Sequence, residues 1–448
     1  MTRSSENRLA RFICKLTPND HEDLGELFSG AFNGLIARVL AVASVFAFNV
    51  YIGRNFGASG SGLFFLSLSI TSACAVLSRF GTDSPVVRLA AQMISSKDWA
   101  DLRSFHRASV FFVALLGAVF SVVIWLFAPY LAEYVFSKPE LSPVLSYMAW
   151  ALVPMALVVL YSHYFRALKS TGISLFARSA LAPLIALAIL LALPPFARLD
   201  YLAIVFAGSA VTAALYLAYE WRRRVPAGRS ALRLSALREA LSSGKTLLLP
   251  SLMDQIVQPW AALVLLGFWG TAAEVGWFGA ASRVAALVAF AVLPVIAIFS
   301  PKAAVLSKEG RYRDLSRLSH RATLLILMVA MPVGILILVA AEGIMGIFGD
   351  DFRSGAGVLV IVALGQVINA VTGPARALLL MSGFDREYRF ASLMAGCLNL
   401  VSCLLLIPKF GVIGAAWSSA IGLAAVNLLS ALLVWIKLRI DPFGLYQP

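Results

Sequence analysis

Apolar residues in this chain come in runs of about 20, long enough for a helix to cross the roughly 30 Å hydrocarbon core of a bilayer. We read twelve such runs, at about 28–52, 62–84, 108–136, 142–165, 173–193, 201–221, 246–268, 276–300, 321–342, 356–382, 388–407 and 412–436. Backbone groups in hydrocarbon must be satisfied within the segment, so each run predicts a helix. The longest polar interval, 222–245, carries Arg222, Arg223, Arg224, Arg229, Arg233, Arg238 and Lys245 against one acid, Glu239. It divides the runs six and six.

Text before this interval repeats after it. Gly53 and Gly62 correspond to Gly267 and Gly276, a shift of about 214 residues. Asp101 to Ser109 (DLRSFHRAS) resembles Asp314 to Thr323 (DLSRLSHRAT). Arg166-Ala167-Leu168 resembles Arg376-Ala377-Leu378. A common order at a near-constant shift points to duplication. The expected fold is an all-α polytopic membrane protein with about twelve transmembrane helices in two duplicated six-helix bundles. The expected divisions are a tail, 1–27, a first bundle, 28–221, a basic connector, 222–245, a second bundle, 246–436, and a tail, 437–448.

Composition agrees. Globular chains are about 45–50% apolar and about 25% charged; this one is 60% apolar and 13% charged. A water-soluble domain is excluded. The net charge of +14 raises the possibility of nucleic acid. The cations lie in short loops between apolar runs, which points to membrane lipids and no nucleic acid.

The N-terminal segment and every second loop hold most of the Lys and Arg, among them Arg88, Lys97, Arg103, Arg107, Lys302, Lys308, Arg311 and Arg386. The opposite loops hold Arg54, Lys138, Arg198, Arg353 and Lys409. The positive-inside rule then places both termini in the cytoplasm. The opposite loops are too short for a receptor or catalytic domain. The start, MTRSSENRLARFICKL, has no h-region, so no removable signal peptide is expected. There is no GxxxxGK[ST] or HExxH motif, and Cys14, Cys74, Cys397 and Cys403 have no metal-site or disulfide spacing. We expect no cofactor and no enzyme activity.

An ionisable residue inside a span is costly and marks a polar interior or a substrate path. Arg38 lies about 15 Å into the first span. Asp254 lies at similar depth in the seventh, with Gln258 on the same face and Pro259 beyond. These two are expected to pair, or to share a cavity. Arg79, one turn from Asp83, sits near the inner end of the second span, and Arg283 lies inside the eighth. Arg79, Arg38 and Arg283 make inner, middle and outer steps of positive charge for a solute with an anionic head. Gln366 and Asn369 form a polar stripe on the tenth span. Helix packing accounts for that stripe equally well. The expected substrate-binding residues are therefore Arg38, Arg79, Arg283, Gln258, Gln366 and Asn369, with Asp254 for ion coupling.

Residues 51–91, YIGRNFGASGSGLFFLSLSITSACAVLSRFGTDSPVVRLAA, pass from a Gly-rich turn to an apolar helix and then to Arg79, Gly81, Asp83 and Arg88. With the six-plus-six architecture, this resembles the polysaccharide transporter family, whose Wzx-type members flip lipid-linked oligosaccharides. That family shares a superfamily with MATE exporters and lipid II flippases. The resemblance implies a MATE-like fold and alternating access between leaflets of a bacterial inner membrane. It implies an undecaprenyl-diphosphate-linked glycan as cargo, H⁺ or Na⁺ as coupling ion, and a polysaccharide polymerase and glycosyltransferases as partners. A cation-coupled multidrug exporter is the alternative that Asp254 keeps open. An intramembrane glycosyltransferase would need a larger loop domain.

Overall fold

The structure, a computed structural model, describes residues 21–192, 198–226, 228, 235–289 and 292–440. Residues 1–20 and 441–448 of the expected tails and residues 227 and 229–234 of the connector lie outside the described residues, as do the side chains of residues 21–39. The helices are α1 His21–Ser78, α2 Asp83–Ser95, α3 Trp99–Tyr130, α4 Leu141–Ala149, α5 Leu152–Ala167, α6 Thr171–Ser179, α7 Leu181–Ala192 and α8 Leu199–Arg224. After the connector come α9 Ser235–Leu252, α10 Ala262–Trp269, α11 Ala272–Ala289, α12 Val292–Lys308, α13 Tyr312–Val339, α14 Ala341–Gly346, α15 Ala356–Val371, α16 Ala375–Met381 and α17 Asp385–Leu438. No strand occurs among the described residues.

Seven of these segments are long and apolar enough to cross a membrane, or nine if each bent pair, α4 with α5 and α6 with α7, is one span. Among the described residues this count is lower than the expected twelve, in part because two bends leave two expected spans in one run of helix. Gly57 (φ 67°) and Gly411 (φ 55°) bend α1 and α17 inside what remains one run of helix. Glycine has no Cβ to oppose a positive φ. Residues 290–291 of the 276–300 run lie outside the described residues, so that run is described in two pieces, α11 and α12. The second expected span also ends earlier than predicted, at Ser78, where a turn leads into α2.

Large apolar side chains such as Trp125, Leu126, Met328, Val329, Leu404 and Leu405 face outward, as lipid contact requires. One buried apolar cluster runs through both halves of the chain. A smaller one, around Phe299, Leu315, Leu378 and Val434, lies between α12, α13, α16 and α17. Lipid is as apolar as a leucine side chain, so close packing of small residues must hold such helices together. That is what α1 and α11 show. A Cβ on Gly62 would overlap the Ala272 carbonyl and lie 2.8 Å from the Gly276 nitrogen, and one on Gly276 would overlap the Ala58 carbonyl. The glycines matched by the sequence repeat therefore meet across the seam between the halves.

Around this crossing, on the face away from the connector, two caps reach in opposite directions. Lys138 follows α3 in the first half. Its Nζ donates to the carbonyls of Gly267 (2.7 Å) and Gly270 (2.8 Å) at the C-terminal end of α10. Asp351 precedes α15 in the second half. Its Oδ2 accepts from the Ala58 amide (2.5 Å), just past the Gly57 bend. Each charge has the sign that the exposed helix end favours. Burial pulls the Lys138 ammonium below its ordinary pKa, and nearby Glu274 offsets part of this. Arg54 Nε adds a bond to the Ile347 carbonyl (2.9 Å).

Candidate functional site

On the basic face, the end of α1 meets the segment after α9. Thr82 Oγ1 bonds the Arg79 carbonyl (2.6 Å) and closes the turn. Gly81 takes φ 68° and presses on the Gly244 carbonyl, which a Cβ there would approach to 2.7 Å. Asp83 then opens α2 and complements its positive end. Arg79 is almost fully buried. Its Nε donates to Asp83 Oδ1 (2.9 Å), its Nη1 to the Ala75 carbonyl (2.8 Å) and its Nη2 to Gln255 Oε1 (3.0 Å). Gln255 Nε2 donates in turn to Asp83 Oδ2 (2.9 Å). Arg79, Asp83 and Gln255 thus form a closed ring, with Gln255 reaching in from the second half. His163 Nε2 stands 3.3 Å from Asp83 Oδ1. Burial alone would raise the Asp83 pKa. The Arg79 guanidinium, with His163, instead holds the carboxyl well below its usual range.

Gln255 belongs to a wide π-turn, Met253–Ala261, with Pro259 inside it. Proline lacks an amide hydrogen, and its ring crowds the carbonyl four residues back. Widening the turn relieves that crowding. The segment is tied to α17 at several points. Asp254 Oδ2 accepts from Tyr388 Oη (2.9 Å) and Oδ1 from Ser392 Oγ (3.0 Å). Arg376 Nη2 lies 3.6 Å from Asp254 Oδ1 and donates to Tyr388 Oη (2.9 Å). Asn399 Nδ2 donates to the Val257 carbonyl (3.2 Å), and Gln258 Nε2 to the Gly422 carbonyl (3.1 Å).

The expected site residues separate accordingly. Arg38 lies outside the described side chains. Asp254 has Arg376 as its cationic neighbour among the described residues. It lies about 10 Å inside the span Leu247–Trp269, counted from the basic face. Arg79 is at the basic face, locked to Asp83. Gln258 holds a backbone carbonyl of α17 and so serves packing. Asn369 Nδ2 makes a long bond to Gln366 Oε1 (3.4 Å), so this stripe partly satisfies itself. Arg283 donates to the Gly279 carbonyl (2.8 Å), and its guanidinium lies 3.8 Å from the centre of the Phe65 ring. No carboxylate pairs with it among the described residues. Phe65 is on α1 and Arg283 on α11, so this cation sits at the seam.

Sequence reading missed Gln255, Arg376, Tyr388 and Ser392 as partners. Arg376 and Gln255 were visible only as polar residues beside Gln366, Asn369 and Asp254. Tyr388 and Ser392 lie one turn apart on α17, a spacing that a search for paired polar residues would have found.

Comparison with known proteins follows the same lines. Residues 56–356 match the family model described as polysaccharide biosynthesis protein. A curated relative, the probable low-salt glycan biosynthesis flippase Agl15 of Haloferax volcanii, is 26% identical over 176 residues. That match spans 38% of this chain and 37% of the relative, little more than a third of either. The lipid II flippase MurJ, in an inward closed conformation, has a similar fold. Its TM-score is 0.70 at 12% identity, covering 91% of this chain and 89% of that one. An inward-facing multidrug resistance MATE family transporter gives 0.68 at 17% identity, covering 92% and 100%. These two likenesses establish the fold. The family match covers well over half of the chain, which is therefore a multi-pass membrane protein of the polysaccharide biosynthesis protein family with the MurJ and MATE fold.

Proposed function

We propose that this protein flips an undecaprenyl-diphosphate-linked oligosaccharide, an O-antigen or exopolysaccharide repeat unit, from the cytoplasmic to the periplasmic leaflet. It works by alternating access and is coupled to H⁺ or Na⁺ through Asp254. It resides in a bacterial inner membrane with the basic face and both termini in the cytoplasm. It acts on its cargo without chemical change and serves a polymerase and glycosyltransferases. The two halves, divided at the connector 222–245, move against each other as bundles.

The observation that carries this reading is Arg283. A guanidinium inside a span is expensive, and this one has an aromatic face and a carbonyl in place of a carboxylate. A diphosphate supplies the missing anion. Arg79 and Arg38 lie on the same route, one at the basic face and one on the first span. Arg376 already neutralises Asp254, which favours an anionic cargo over a cationic drug. An incoming diphosphate draws on the same guanidinium, and a coupling cation takes its place at the carboxylate.

The test is glycan export in cells lacking the endogenous flippase. Arg283→Ala should abolish export while the protein still reaches the membrane, and Arg283→Lys should keep part of it, since a phosphate needs charge first. Normal export by Arg283→Ala would overturn the reading.

A further inference from the structure

Asp254 and Gln255 are neighbours in the chain, and they hold opposite halves of the protein. Consecutive residues on a helix point to different faces, about 100° apart in an α-helix and somewhat less in a wider π-turn. Here that angle turns Asp254 toward Tyr388 and Ser392 on α17 and Gln255 toward Arg79 and Asp83. Both stand in the π-turn Met253–Ala261, a geometry that recurs at functional sites. Further along the turn, Val257 and Gln258 are bound to α17. Gln255 is the side chain of this turn that bonds to the first half.

The chemistry of the ring requires an amide. Arg79 offers only donors and ionised Asp83 only acceptors. One residue satisfies both when it carries an acceptor and a donor side by side, as Gln255 does. A glutamate would still accept from Arg79 but would repel Asp83. A leucine would leave both charges short of a partner in a buried place.

We propose that Gln255 is a positioning residue that transmits the state of the Asp254 cluster to the seam on the basic face. While Tyr388 and Ser392 hold Asp254, the π-turn is rotated so that Gln255 completes the Arg79–Asp83 ring and the seam is shut. When that anchor breaks, the turn rotates, Gln255 leaves the ring and the seam parts. This rests on the alternating-access reading above, and it supplies a direct link between the coupling site and the gate.

The reporter is Thr82→Cys in a protein whose four native cysteines are replaced. Thr82 is 3% exposed, and its methyl faces Gly244 across the seam. Labelling by a membrane-impermeant maleimide is followed in inside-out vesicles. Gln255→Leu, which loses both bonds of the ring, and Gln255→Glu, which loses the one to Asp83, should each raise the labelling rate on the order of tenfold or more, the shift expected from losing at least one hydrogen bond to a charged group. Tyr388→Phe with Ser392→Ala, which leaves Gln255 and Arg79 intact, should raise it as much. Combining that pair with Gln255→Leu should add nothing further. An unchanged rate in the Tyr388/Ser392 variant overturns the proposal, and so do multiplying effects in the combined variant. Monodisperse elution in detergent by size exclusion, with a cooperative thermal transition, confirms that each variant folded. Glycan export is scored separately on the same variants. Labelling that behaves as expected in a protein that exports no glycan would count against the cargo and leave the coupling standing.

Discussion

Gly62 and Gly276 pass each other with no space for a side chain on either. The Cβ that alanine would add at Gly62 lies 2.8 Å from the Gly276 nitrogen and runs into the Ala272 carbonyl. The obstacle in both directions is backbone, which cannot swing aside as a flexible side chain can. Gly62→Ala and Gly276→Ala should therefore wedge the seam on the far face, at a cost of about 1–3 kcal/mol. Ala58→Cys, 3% exposed in the closed seam, should label faster in right-side-out vesicles of either variant. Labelling equal to that of the parent would mean that the seam absorbs the methyl elsewhere.

The caps at Lys138 and Asp351 should be separable from the glycine crossing. Lys138→Gln and Asp351→Asn keep size and remove charge at a helix end, worth roughly 0.3–2 kcal/mol each. Each should raise Ala58→Cys labelling from the far face and leave Thr82→Cys labelling unchanged. Because they act on different helix ends, their effects should combine when both are made. A rise in labelling on the basic face would contradict this division.

Stability should depend on Asp83 in a stated direction. Its folded pKa is depressed by Arg79 and His163 acting against burial. A depressed carboxyl contributes stability above its unfolded pKa, about 3.9, and loses it as pH falls through the folded value. Thermal midpoints in detergent should fall as pH drops below about 4. Asp83→Asn leaves Arg79 with a buried charge and should cost about 3–5 kcal/mol at neutral pH. The midpoints of parent and variant should converge in acid. A constant gap down to the lowest pH tested would remove Asp83 from the account.

Transport in vesicles tests Asp254. Asp254→Asn keeps the shape and removes the charge that Arg376 faces. It should lose dependence on an imposed H⁺ or Na⁺ gradient and keep some downhill flipping. Gradient dependence that survives in Asp254→Asn would leave the residue a structural role alone, as the anchor of the π-turn.

Much of this was legible in the chain. The apolar runs gave the helices, the Arg79–Asp83 spacing of one turn set a carboxylate beside the arginine, and the matched glycines marked the repeat, to which the structure adds that Gly62 and Gly276 cross. These features depend on local spacing or on repetition. Gln255 and Arg376 were not legible: Asp83 lies 172 residues from Gln255, and Arg376 meets Asp254 and Tyr388 only through the way α17 packs on the π-turn. Pro259 announced a disturbed helix, and the structure gives it the form of a widened turn. Lys138 looked like a stray charge in a loop, since its partners are carbonyls that no side-chain pattern reveals. Asp254 was expected beside Arg38, whose side chain lies outside the described residues; among the described residues its cationic neighbour is Arg376.

The caps on the far face have a consequence for how such a protein drifts over evolutionary time. Lys138 and Asp351 bind peptide groups, which every residue carries. The contacts ask nothing of the side chains at Gly267, Gly270 and Ala58, although packing limits the two glycines, where a Cβ would come within 2.8 Å of Leu66 and Leu266. A search for correlated substitutions between halves would pass over this clasp, because one side of each contact has nothing to correlate. Its trace in related chains should be a charge retained alone at a loop position, opposite a helix end of fixed geometry and variable sequence.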